Sequence, residues 1–144
     1  MTSDPSDHFD LQRFVDAQDR VYEEVCAELR SGQKRTHWIW YIFPQLRGLG
    51  LSAIATAFGI ASPQEAQAYL DHPVLGPRLK ECTRLVNQVE GRAIGQIFAY
   101  PDDLKFRSSM TLFASVARDN QVFNDSLQKY FAGEPDPLTL ERLD

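Results

Sequence analysis

Leu75, Leu79, Cys82, Val86 and Val89 recur at intervals of four, three, four and three residues, a spacing that collects them on one face of an α-helix. The same interval returns in Leu11, Phe14, Val15, Gln18, Val21, Tyr22, Val25, Cys26 and Leu29, and again in Phe106, Met110, Phe113 and Ala117. A chain patterned in this way builds its core by packing helices. Its 144 residues, 43% of them apolar, suffice for one domain with a real interior. Phe14, Leu79, Cys82, Val86, Met110 and Phe113, each on the stripe of its own helix, are the expected core.

The punctuation agrees with the periodicity. Ser62-Pro63-Gln64-Glu65 combines an N-cap serine, a proline in the first turn and a glutamate three residues after the cap, which predicts a helix from Ser62 to about Asp71. Asp10 is the expected cap of a helix of about twenty residues that Gly32 ends. Ser52 is expected to cap a short helix over residues 53–60. Pro101 with Asp102 and Asp103 suits a first turn, where carboxylates meet the positive end of the helix dipole. A helix over about 122–132 and a last turn after Asp136-Pro137 complete the series. Trp38 to Phe43 reads as a strand on its β-branched and aromatic content. Residues 1–8 are expected to form a disordered tail and residues 9–144 a single helical domain.

No apolar run approaches the roughly twenty residues of a membrane span, and the first residues lack the basic flank and apolar stretch of a signal peptide. The expected location is cytoplasmic, without membrane association. Cys26 and Cys82 lie in no metal-ligand spacing and read as reduced core thiols. His8, His37 and His72 show no ligand spacing either, so no metal and no cofactor are expected.

The net charge of −5 speaks against general nucleic-acid binding, yet it is unevenly spread. Residues 1–32 hold eight acids and three bases, whereas residues 33–52 hold Lys34, Arg35 and Arg47 and no acid. This basic stretch is also the most aromatic. Arg35, His37, Trp38, Trp40 and Tyr41 offer cations and flat rings, as a phosphate joined to a base or sugar would need, although several of the rings must enter the core. Gly48-x-Gly50-x-x-Ala53 matches the dinucleotide-binding fingerprint, but no second strand follows to complete a β-α-β unit. A looser anion loop of Arg47, Gly48, Gly50 and Ser52 remains, beside the plain alternative of glycines that only turn the chain. The second polar cluster is Asp102, Asp103, Lys105, Ser108 and Ser109, three and four residues apart on one helix. A lysine beside serine could activate a nucleophile, and ordinary surface pairs, Asp102 with Lys105 and Asp103 with Arg107, are the alternative.

Long stretches of the chain resemble a known bacterial family. They are Asp10-Leu11-Gln12-Arg13-Phe14, Lys34-Arg35-Thr36-His37-Trp38-Ile39-Trp40-Tyr41-Ile42-Phe43-Pro44-Gln45-Leu46, Ala68-Tyr69-Leu70 with His72-Pro73, and Pro101-Asp102-Asp103 with Lys105 and Ser108-Ser109-Met110. The family is domain of unknown function 1810, whose members often carry the label calpastatin. The resemblance spans residues 9 to 143. It implies an all-α, compact single-domain bundle, here of about six or seven helices, and turns the Trp38–Phe43 run towards helix. It implies no established activity, and the calpastatin label fits poorly, because such an inhibitor is a largely disordered chain.

Two functions follow as expectations. One is a pocket protein for a small anionic or nucleotide-like ligand, hydrolysis included. In that reading Arg35, Gln45, Arg47, Gly48, Gly50, Ser52, Lys105 and Ser109 bind, Trp38 or Tyr41 stacks, and His37 and Asp102 exchange protons. The other is a non-catalytic module that docks a protein through an exposed aromatic and basic patch. The pocket reading requires that Arg35, His37, Trp38 and Gln45 meet Asp102, Lys105 and Ser109 on one concave surface.

Overall fold

A computed structural model describes residues 8–143. The tail expected over residues 1–8 lies, apart from His8, outside them. The apolar stripes become α1 (Gln12–Asp19), α2 (Tyr22–Ser31), α3 (Ile39–Ile42), α4 (Ala53–Ala57) and α5 (Pro63–Asp71). They continue as α6 (Leu75–Gln88), α7 (Ile94–Ile97), α8 (Asp102–Val116), α9 (Gln121–Phe131) and α10 (Pro137–Leu143). The described residues are all-α, with no strand and one isolated bridge between Leu46 and Ile60. None of these helices is long and apolar enough to cross a membrane.

Ten helices replace the expected six or seven because long stripes are cut and single turns count. The stripe from Asp10 to Gly32 breaks at Val21, whose φ of −130° leaves the helical region. The break lets α1 pack on α3 while α2 packs on α6, two directions that one straight rod could not serve. Asp10 caps nothing through its side chain: it sits at a positive φ of 52°, and the first carbonyls are taken by Arg13. That guanidinium also reaches the carbonyls of Ala57 and Gly59 and the Glu65 carboxylate, pinning α1 to the start of α5. At α5 the expected cap is present: Ser62 Oγ accepts from the Glu65 N–H at 3.1 Å, and Glu65 accepts from the Ala61 N–H at 2.9 Å.

Trp38 to Phe43 is one helical turn, not a strand. Its buried members are Trp38, Ile39, Ile42 and Phe43, whereas Trp40 and Tyr41 are only half-buried. A strand would have alternated them, so packing overrides the intrinsic preference. Below this turn Phe43, Phe98 and Phe106 form an aromatic cluster with ring centroids 4.9–5.9 Å apart.

The centre is α8, which α5, α9, α10, α3 and α7 surround. It is buried from Ser108 through Phe113 without interruption, the pattern of a helix covered on nearly every side. The six expected core residues are all buried. Cys26 and Cys82 are buried free thiols on the adjoining helices α2 and α6. Their mutual hydrogen bond, with burial, pushes the Cys82 thiol up. His72 takes a structural part, its Nδ1 accepting from the Val74 and Leu75 N–H groups at the start of α6.

Candidate functional site

The basic segment is shaped from beneath by a carboxylate. Glu28, on the inner face of α2 and 5% exposed, accepts from the Arg35 and Thr36 N–H groups at 2.7 and 3.1 Å. It also accepts from the Thr36 hydroxyl at 2.6 Å and the Trp38 indole N–H at 2.9 Å. Burial alone would raise its pKa, but the hydrogen bonds from Thr36, Arg35 and Trp38 favour the charged form and hold it at about 2. Gly32, left-handed at φ 78°, ends α2, and the Lys34 N–H then donates to the Ile97 carbonyl at 2.8 Å.

Lys34 turns inward. Its side chain, 7% exposed, pairs with Asp102 Oδ2 at 2.7 Å, while Lys105 approaches Asp102 Oδ1 at 3.2 Å. The Lys105 ammonium also lies 4.1 Å from the centre of the Trp40 ring. Asp102 is thus a knot between the basic segment and the first turn of α8. Arg35 and His37 stay exposed, and among the described residues neither side chain has a hydrogen-bond or ion-pair partner.

The two clusters do meet. Lys34, Arg35, His37, Tyr100, Pro101 and Asp102 line a cavity of about 350 Å³. A neighbouring cavity of about 270 Å³, sharing Pro101, is lined by Trp40, Gln45, Gly50, Lys105, Ser108 and Asp136 among others. The expected single surface is therefore two adjoining hollows with the Asp102 knot beside both. Three larger cavities offer no excess of cations: those of about 500 and 410 Å³ set Lys80, Arg84 and Arg118 against Asp71, Asp119 and Asp125, and one of about 480 Å³ sets Arg20 and Arg78 against Asp19, Glu23 and Glu24. The two hollows at the basic segment carry the surplus of positive charge, Lys34 and Arg35 against Asp102 in one and Lys105 and Arg107 against Asp136 in the other.

Several expected ligand residues take other places. Trp38 is 1% exposed and spends its indole N–H on Glu28, so it has no open ring face for a ligand. Tyr41 is half-buried, its hydroxyl donating to the His37 carbonyl at 3.2 Å. Ser109 lies wholly in the core, its hydroxyl without a hydrogen-bond partner among the described residues. Ser108 Oγ is within 3.1 Å of both the Leu104 carbonyl and the Asp136 carboxylate, and Lys105 is already paired, so no activated serine is assembled. The Asp103–Arg107 pair is absent too, since Arg107 reaches instead to the Glu134 and Pro135 carbonyls.

The glycine loop likewise serves the fold. Gly48, at φ 97°, has the Arg142 guanidinium against it, and a Cβ at Gly50 would come within 2.8 Å of the Ala55 Cβ. Arg47 donates to the Gly59 carbonyl, and Ser52 Oγ accepts from the Ala55 N–H as the cap of α4. Arg47, Gly48 and Ser52 line neither hollow.

A family model described as "Protein of unknown function (DUF1810)" matches residues 8–143. The chain belongs to this family. The crystal structure of the conserved hypothetical protein Rv1873 from Mycobacterium tuberculosis is similar at 59% identity. The match covers 94% of this chain and 96% of that one, with a TM-score of 0.93. No curated protein matches the chain. Within this DUF1810 chain, sequence reasoning passed over Glu28 and Tyr100. Glu28 had a signal, standing three residues after Val25 and seven after Val21, a carboxylate on an apolar stripe. Tyr100 had only its place beside Pro101.

Proposed function

We propose that this protein binds a small anion, a phosphate or carboxylate, in the hollow between residues 34–37 and 99–102. One observation carries the reading: among the described residues the Arg35 guanidinium and the His37 imidazole share that cavity with no protein partner, while the one acid among its described lining residues, Asp102, is held by Lys34 and Lys105. Unpaired donors beside a neutralised carboxylate attract an anion. Arg35 supplies planar, bidentate recognition. His37 is the group we assign to proton exchange in any hydrolysis here. Asp102, with both oxygens occupied, is assigned to positioning.

Calorimetric titration with inorganic phosphate tests the reading. Arg35→Ala should weaken binding about tenfold or more, as loss of a charge-assisted contact does. Its unfolding free energy should change by no more than about 0.5 kcal/mol, because the side chain is exposed and unpaired. Phosphate affinity that Arg35→Ala leaves unchanged would count against the site.

A further inference from the structure

Tyr100 is 79% exposed and lines the same hollow as Arg35 and His37. Among the described residues its ring meets no other ring or cation, and its hydroxyl makes no hydrogen bond. The other aromatic side chains nearby are engaged. Trp38 and Phe98 are buried edge to face, Tyr41 is tied to the His37 carbonyl, and Trp40 has the Lys105 ammonium over it. Single exposed aromatics are ordinary on a protein surface. Tyr100 differs in sharing one cavity with the two unpartnered donors.

A bare ring beside a guanidinium and an imidazole matches a molecule that joins a flat aromatic group to an anion. We propose that the ligand is a nucleoside monophosphate, its base stacked on Tyr100 and its phosphate on Arg35 and His37. This assignment rests on the anion site argued above and names its substrate class. The cavity, at about 350 Å³, sits at the small end of ligand pockets, which run from about 300 to 1,000 Å³. It suits one nucleotide unit better than a dinucleotide. Stacking tolerates any base, because every base has a π face, so recognition centres on phosphate plus ring rather than on base edges.

The test compares adenosine monophosphate with ribose 5-phosphate, which keeps the anion and lacks the base, by calorimetric titration of the full chain. The wild type should bind adenosine monophosphate about fivefold or more tightly than ribose 5-phosphate, the range that base–aromatic stacking supplies. Tyr100→Ala should abolish that preference and leave ribose 5-phosphate affinity unchanged, and Tyr100→Phe should retain it. Equal affinities in the wild type, or a preference that survives in Tyr100→Ala, would overturn the nucleotide assignment while the anion site stood. Failure of both compounds to bind would overturn the two together.

Discussion

Replacing Glu28 with Gln keeps the length of the side chain and removes the charge that four donors converge on. The amide also brings N–H groups of its own against those donors. A loss of about 2–3 kcal/mol is expected from denaturant unfolding, the scale of a hydrogen-bonded charge left unsatisfied. Acid should mimic the substitution. Glu28 titrates lower in the folded chain, at about 2, than its ordinary value of 4.5. Its stabilisation is therefore complete above about 4.5 and fades as the pH falls towards 2. Unfolding followed over that window should lose more stability in the wild type than in Glu28→Gln. Gly76 is a second residue on which much depends. A Cβ there would stand 2.1 Å from the Leu70 carbonyl oxygen, a backbone atom that cannot swing aside. Gly76→Ala should cost about 3 kcal/mol in the same assay, as a severe overpacking does.

Among the elements, α5 was legible because its start is local chemistry: Ser62, Pro63 and Glu65 supply the cap within four residues. Ser62→Ala should lower the unfolding free energy by about 1 kcal/mol, with the lost Glu65 N–H bond as its cause. The division of the first stripe into α1 and α2 was not legible, since it depends on α3 and α6 lying in different directions. Trp38 to Phe43 misled for a related reason. β-Branched and aromatic side chains describe what a residue prefers, whereas the burial of Trp38, Ile39, Ile42 and Phe43 records what surrounds it. That the basic stretch meets Asp102 could be read from charge, because a stretch without an acid of its own must find one elsewhere, but Lys34 makes the pair while Arg35 and His37 only share the cavity. The loss of Trp38 and Ser109 to the interior could not, as the faces of α3 and α8 are decided by their neighbours.

At the scale of the whole molecule, α8 joins everything: its middle forms the core and its first turn carries Asp102. Phe113 packs against Tyr69 of α5 and Phe123 of α9, with centroids 5.4 and 5.9 Å away. Phe113→Ala should therefore cost about 3–5 kcal/mol, read as a lower melting temperature. The contacts that build the candidate site differ in how far along the chain they reach. Glu28 closes loops of only seven to ten residues when it grips Arg35, Thr36 and Trp38. The pairing of Lys34 with Asp102 closes a far longer loop, about half the length of the chain. Closing the longer loop costs about 2 kcal/mol more in chain entropy. The Arg35 side of the hollow is therefore held first by its own stretch of chain, through Glu28, and the distant contacts of Lys34 with Ile97 and Asp102 complete it at the greater entropic cost.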